Sequence, residues 1–409
     1  MRCNAWRSAA SSTTSRPDDR SSIQLVISNA CIGVHDNVLR TRTSSVPFSK
    51  AMCFPLVSTL RRLDGKNSCR GVFINLNWSG RGDAAIRIPE DLMAKITATE
   101  WIWRDGEFVR WADATVHVLC HSLQFGSSAF EGIRCYSTPR GPAIFRLEDH
   151  LQRLLDSCKI YRMDVKYSLD ELVAACCELV DRNGVDACYL RPMVLRGYGA
   201  SGMVPMDSPV EMYLPCWPWG AYLGEGALEN GVDACVSTWN RVAPNTIPAM
   251  AKMAGNYLGS QLIKMEALRN GFAEAIALSP DGMVSEGSGQ NVFVVHKGTL
   301  YTPTINGTLL HGITRNAILA LARDLGIPVR EQPVPREMLY SADEIFLTGT
   351  ASEVTPVRSI DRITIGNGKR GPVTTQIQQR FLDVVRGVTD DTYGWLTYVR
   401  AERAAKQPA

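Results

Sequence analysis

Glu286-Gly-Ser-Gly-Gln-Asn-Val-Phe293, followed by Leu300-Tyr-Thr302 and Leu310-His-Gly-Ile-Thr-Arg315, lies between segments with readable patterns. On its N-terminal side, Ala273 to Leu278 and Met283 to Glu286 flank the turn Ser279-Pro-Asp-Gly282, in which proline presets φ and glycine accepts a left-handed backbone. On its C-terminal side, Asn291 to His296 and Thr299 to Thr302 flank Lys297-Gly298 and make a second hairpin. Thr314 to Leu325 reads as a helix closed by Gly326 and Pro328. Asp343 to Leu347 reads as a short strand ending at Thr348-Gly-Thr-Ala351. Hairpins mixed with helices predict an α+β fold with largely antiparallel sheets. No Gly-x-Gly-x-x-Gly follows a strand, which argues against a dinucleotide fold.

The same texture extends back to about Thr99. Trp101 to Trp111 alternates around Asp105-Gly106, a hairpin signal. Leu147 to Tyr161, with Leu151, Leu154, Leu155 and Cys158 at helical spacing, predicts an amphipathic helix. Leu169 to Arg182 predicts another, with Gly184 just past its end. Tyr189 to Leu195 and Val210 to Cys216 read as strands, and Pro218 to Gly226 as a linker between domains. Residues 1–92 differ: they are rich in Ser, Thr and Arg, and their candidate strands, Ile23–Ser28 and Val72–Leu76, are isolated. They hold 11 Arg and 2 Lys against 7 acids, a net of +6, within a whole-chain +3. The rest therefore carries −3. We read 1–92 as a poorly ordered extension or as translated sequence ahead of a natural start at Met93; the alternative is an Arg- and Ser-rich targeting peptide, against which Asp18, Asp19 and Asp36 count.

Bulk properties exclude several classes. The chain has 409 residues, 45% hydrophobic and 21% charged, enough for two domains of ordinary globular composition. No run reaches the ~20 apolar residues that span a bilayer. No Lys/Arg stripe with interleaved aromatics points to nucleic acid. The 12 Cys form no C-x-x-C pair, and Cys176, Cys177, Cys188 and Cys235 sit in apolar runs, so they read as reduced thiols of a cytoplasmic protein. His117 and His121 are four apart, but no third ligand stands near them, and no metal site is expected.

In Ala249-Met-Ala-Lys252-Met-Ala-Gly-Asn-Tyr257 a single lysine is flanked by small and apolar residues. Burial depresses a lysine's pKa and makes it a nucleophile for carbonyls. Together with the block from Glu286 to Arg315, this resembles the signature of class IV (fold type IV) pyridoxal phosphate (PLP) aminotransferases. Further stretches are similar to the bacterial branched-chain amino acid aminotransferases: Phe130-Glu-Gly-Ile-Arg134, Pro218-Trp-Gly-Ala-Tyr-Leu-Gly224, Ser237-Thr-Trp-Asn-Arg-Val-Ala-Pro-Asn-Thr-Ile-Pro248, Gly371-Pro-Val-Thr-Thr-Gln-Ile-Gln-Gln379 and Gly394-Trp395. The likeness runs from about Thr99 to about Val399.

The resemblance implies PLP held as a Schiff base on Lys252, which also shuttles the proton at the substrate's α carbon. It sets Glu286 against the pyridine nitrogen and Tyr257 against the phenolate oxygen. It assigns the phosphate to Arg153, the backbone of Ile313, Thr314 and Thr350, with Leu310 also at the cofactor; the helix start fits an anion. It places Phe125, Phe130, Trp219 and Tyr222 around an apolar substrate pocket. Tyr189 and Arg191 lie two apart on one strand face, with Arg191 meeting the side-chain carboxylate of glutamate and the backbone of Thr350-Ala351 taking the α-carboxylate. The sequence departs from the pattern at Phe125, where Tyr is frequent, and at Gln290, where Glu is usual.

The expected organisation is a small domain over 93–217, a linker over 218–229 and a large PLP-binding domain over 230–400. The implied reaction is transamination of L-leucine, L-isoleucine and L-valine with 2-oxoglutarate, by a homodimer or larger homo-oligomer acting on small molecules. The alternatives within the same fold are a D-amino acid aminotransferase and an aminodeoxychorismate lyase. A PLP-binding protein without catalysis is the alternative of another class.

Overall fold

The computed structural model describes residues 96–219, 223 and 226–400. The Ile23–Ser28 and Val72–Leu76 strands and the reading of 1–92 lie outside them. The hairpins around Glu286 form, with strands at Glu274–Leu278, Val284–Gly287, Asn291–His296 and Thr299–Thr302. Their turns are built as the residues require, with Gly282, Lys297 and Gly298 all at positive φ.

These strands belong to a nine-stranded sheet that closes on itself. Val284–Gly287, Glu274–Leu278, Val232–Val236, Glu353–Ile360, Glu344–Gly349 and Asn291–His296 pair in that order, and Glu286 pairs with Asn291 to complete the ring. Val232–Val236 runs parallel to both neighbours, and Thr299–Thr302 runs parallel to Val329–Glu331. The other pairings are antiparallel, as the α+β reading expects.

Side chains alternate across the barrel wall. Val232, Ala234, Ile276, Val292, Ile345 and Val357 share one core. Phe293, Val295 and Phe346 point to the other face, onto the helices Ile313–Asp324 and Pro372–Val385. Cys235, Ala275 and Ala277 meet Ile263 and Ala267 of the helix Tyr257–Arg269.

Strands between Trp101 and Trp217 build two further five-stranded sheets, the second completed by Leu396–Tyr398 on Gly141–Phe145. The two strands expected at Tyr189–Leu195 and Val210–Cys216 are each divided. Cys188–Leu190 and Cys216–Trp217 lie in one sheet, Met193–Arg196 and Val210–Leu214 in the other. The breaks fall at Pro192 and Pro215, where the missing N–H ends the ladder. The expected helices appear as Leu147–Ile160 and Leu169–Arg182. Leu151, Leu154 and Cys158 of the first pack with Leu172, Cys176 and Leu179 of the second. Among the described residues no helix is long and apolar enough to cross a membrane.

Candidate active site

Register places the barrel's polar row. Glu286 faces Asn291 across one pair of strands and Asn291 faces Thr348 across the next. All three line a cavity with Lys252, Arg153 and the segment Gly312 to Thr314.

Lys252 is held by its backbone from both sides. Its N–H donates to Ser157 Oγ at 3.0 Å, and its carbonyl accepts from the Phe130 N–H at 3.0 Å. Both partners come from elements N-terminal to the barrel, so the lysine is clamped where the sheets meet. Its Nζ donates to the Tyr257 hydroxyl and lies 4.8 Å from the ring centroids of Phe130 and Tyr257. The amine is oriented by aromatic faces and a phenol oxygen, and among the described residues no carboxylate forms an ion pair with it.

Glu286 is a buried residue, 6% exposed. Arg241 Nη2 sits 2.8 Å from its Oε1. The Leu310 N–H and Asn291 Nδ2 donate to Oε2 at 3.1 and 3.4 Å. Burial pushes the Glu286 carboxyl above the usual range, while Arg241, the Leu310 amide and the charges of Lys252 and Arg153 pull it back. Arg241 is itself held by Ser260 Oγ at 2.9 Å.

On the same cavity the helix Ile313–Asp324 opens at Gly312, whose backbone is extended and which has no side chain to cap the helix. Its first N–H groups are therefore free of a side-chain cap and suit an anion. A Cβ at Gly312 would fall 2.0 Å from Asn291 Oδ1, so only glycine allows this approach. Ile313, Thr314, Leu310 and Thr350 line the cavity here with Arg153. Arg153 donates through Nε and Nη2 to Glu131 at 2.6 and 2.9 Å, and through Nη1 to the His311 carbonyl at 2.8 Å.

Glu131 is fully buried. It also meets His150 Nδ1 at 2.7 Å and the Gly132 N–H at 3.2 Å. Burial alone would raise its carboxyl, but Arg153 and His150 prevail and hold it well below the usual carboxylate range. Burial pushes the His150 imidazole down, so we assign the neutral form, with Nδ1–H donating to Glu131.

The aromatic pocket is only partly assembled by these residues. Phe130 lies 4.9 Å from Tyr257, and Tyr189 stacks on Trp219 at 4.7 Å. Arg191 falls just past the strand Cys188–Leu190, because Pro192 ends it, yet its Nη2 reaches the Tyr189 hydroxyl at 3.5 Å. Its guanidinium lies 5.0, 5.2 and 5.9 Å from the Phe130, Tyr189 and Trp217 ring centroids. Among the described residues no carboxylate pairs with it, and its Nε is buried without a partner. Tyr222 lies outside the described residues. Phe125, like Phe130, Tyr189, Arg191, Trp219 and Ala351, is not among the residues that line the cavity; it ends the short helix His121–Phe125, turned by Gly126 at φ 69°, and is 44% exposed. Ala351 follows Thr350 in the turn between Glu344–Gly349 and Glu353–Ile360.

His117 and His121 do not share a helix, since His117 precedes it. The His121 ring is taken up by Ser127 Oγ at 2.6 Å and the Gly202 carbonyl at 3.1 Å. Arg241, Asn291, Glu131 and His150 carry no role in the sequence reading. Arg241, Asn291 and Glu131 stand inside the quoted stretches, which was the available signal. His150 stands outside them.

The donor set fits PLP. A half-buried amine stands near a buried acid held by arginine, an uncapped helix start faces the same cavity, and the Thr348 hydroxyl on its lining is buried without a partner. The description "Amino-transferase class IV" belongs to the family model that matches residues 128–360. The chain is 52% identical over 301 residues to the branched-chain-amino-acid aminotransferase of Escherichia coli (strain K12), covering 73% of this chain and 97% of that protein. A crystal structure of the Escherichia coli branched-chain amino acid aminotransferase has a TM-score of 0.73 at 51% identity, covering 74% of this chain and all of that one. The branched-chain amino acid aminotransferase of Thermobaculum terrenum, solved in its PLP form, has a TM-score of 0.70 at 36% identity, covering 74% of this chain and 99% of that one.

Proposed function

The chain belongs to the class IV amino-transferase family, and from that premise we propose that it moves the amino group of L-leucine, L-isoleucine and L-valine to 2-oxoglutarate. The products are the branched-chain 2-oxo acids and L-glutamate, and the cofactor is PLP joined to Lys252. The observation that carries this is that two groups line one cavity, Lys252 resting on Tyr257 and Glu286 buried against Arg241. When bound, PLP withdraws electrons from the substrate's α carbon, provided its ring nitrogen stays protonated.

The chain's own residues do the rest. Lys252 Nζ, once released, would carry the proton between the substrate's α carbon and the cofactor, in opposite directions in the two half-reactions. Tyr257 holds that amine in position. Glu286 keeps a proton at the ring nitrogen, and Arg241 keeps Glu286 ionised and aimed. The start of the helix Ile313–Asp324, with Thr314, Thr350 and Arg153, binds the phosphate. Phe130, Tyr189 and Trp219 exclude water from a branched aliphatic side chain. Arg191, ringed by aromatics and lacking a carboxylate partner among the described residues, receives the distal carboxylate of glutamate, and the Thr350-Ala351 backbone receives the α-carboxylate of either substrate.

We assign the enzyme to the cytoplasm, since the eight described cysteines are all free thiols. Val118, Leu119, Leu123, Phe125, Met203 and Val204 are exposed, and the hydrogen bond from His121 to Gly202 brings their segments together. Such a strip suits a homodimer or larger homo-oligomer.

The test is substrate choice. With L-leucine and 2-oxoglutarate the enzyme should form glutamate, and D-alanine should give none. Preference for D-alanine, or pyruvate released from aminodeoxychorismate with no amino acceptor, would overturn the reading.

A further inference from the structure

Glu353 opens the strand Glu353–Ile360 with φ of 51°. This is left-handed backbone, costly for any residue with a Cβ, and it persists only where the surroundings impose it. Glu353 is 6% exposed. Its Oε1 accepts from the Tyr136 hydroxyl at 3.1 Å and lies 3.4 Å from Arg134 Nη1. Both partners stand on Ile133–Thr138, a strand of a different sheet. Glu353 pairs with Gly349 on the adjacent antiparallel strand, so the two residues are the posts of the Thr350-Ala351-Ser352 turn. Thr355 Oγ1 donates to the Ser352 carbonyl at 2.7 Å, and Gln378 Nε2 donates to the Val354 carbonyl at 2.6 Å. The turn's C-terminal side is thus tied at successive residues, and the strained one carries the tie that reaches the other sheet.

We propose that Glu353 is a positioning residue: held by Tyr136 and Arg134, it fixes the Thr350-Ala351 turn in the conformation that presents its backbone to the substrate's α-carboxylate. This rests on the reading that the turn receives that carboxylate. It follows that the tie serves both half-reactions equally, because amino acid and 2-oxo acid share this group. The ring-nitrogen contact at Glu286 and the phosphate contacts at the helix start and Arg153 are independent of it, and of the phosphate contacts only Thr350 lies in the turn.

The test uses the holoenzyme with Glu353→Ala, Glu353→Gly and Tyr136→Phe. It measures KM for L-leucine and 2-oxoglutarate, kcat, the cofactor's absorbance and affinity, and Kd for 4-methylvalerate, a branched carboxylate with no amino group. Alanine loses both bonds and keeps the strain, so both KM values and the Kd should rise about tenfold, equivalent to about 1.4 kcal/mol, with cofactor absorbance unchanged and cofactor affinity falling by less, since Thr350 alone of the phosphate contacts lies in the turn. Glycine is at ease at φ 51° and should recover roughly half of that loss on a logarithmic scale. Tyr136→Phe should raise the same constants about threefold. Unchanged KM and Kd in an active, folded Glu353→Ala enzyme would overturn the proposal, as would a loss confined to cofactor affinity. If Glu353→Ala does not fold, Tyr136→Phe decides in the same way. A wild-type enzyme that neither turned over L-leucine nor bound 4-methylvalerate would sink the substrate reading itself and the proposal with it, whereas silent variants of an active wild type sink the proposal alone.

Discussion

Two buried glutamates, each paired with an arginine that lines the cavity, have carboxyls that move in opposite directions. Glu131 receives two N–H groups from Arg153, one from His150 and one from its neighbour's backbone, and is held far below the ordinary range. Glu286 receives one guanidinium nitrogen, one amide and a long contact from Asn291, and burial leaves it above that range. The difference lies in the number of donors, since both are almost free of solvent. Glu131 is satisfied within the protein and acts as an anchor for Arg153. Glu286 retains an unmet demand for positive charge, which the protonated ring nitrogen of the proposed cofactor would supply.

Three substitutions break or sharpen this contrast. Arg241→Met strips Glu286 of its ion-pair partner and should cause the largest loss, about 3–5 kcal/mol of folding stability, seen in denaturant unfolding. It should also move the acid limb of the kcat–pH profile upward, because the carboxyl rises further. A stability within roughly 1 kcal/mol of wild type, little more than the scatter of surface changes, would show that Arg241 is not the partner that matters.

Glu286→Gln keeps the shape and removes the acid. It should lower kcat on the order of 10²-fold, the scale for losing one aimed electrostatic contact, with PLP still bound through the phosphate site. Glu131→Gln should do the reverse, costing about 2–3 kcal/mol of stability and weakening PLP through Arg153, with a smaller effect on kcat of the loaded enzyme. Equal effects of the two on kcat would erase the distinction.

The pH sign follows from the same contrast. The Glu131 carboxyl is depressed in the folded chain relative to the ordinary 4.5. Between those limits the unfolded state binds the extra proton, so its contribution to stability is present above about pH 4.5 and is lost as pH falls below it. Wild type should therefore lose stability through that acid window more steeply than Glu131→Gln, which unfolding midpoints against pH would reveal.

What the sequence disclosed follows the range of the interactions. The hairpins at Ser279–Gly282 and Lys297–Gly298 were legible because their turn residues carry the information locally. Lys252 stood out through its small, apolar neighbours, and the helix start at Ile313 through Gly312 and the closing Gly326. Barrel closure was not legible, since it rests on the single pair Glu286 and Asn291 brought together by other strands. Pro192 and Pro215 were visible, but their consequence, a change of sheet within one apparent strand, depends on neighbours distant in sequence. Arg241 in Trp-Asn-Arg-Val looks like a surface residue, and only tertiary burial makes it the partner of Glu286. Phe125 joined the pocket only through resemblance, and in this chain the short helix that carries it turns it to solvent.

One amine decides the chemistry. The holoenzyme should be reduced with borohydride, digested and mapped by mass spectrometry. The reduced cofactor is expected on the peptide that contains Lys252 and on no other lysine; cofactor on a different lysine, or none retained after reduction of a fully loaded enzyme, would contradict the assignment on which the rest depends.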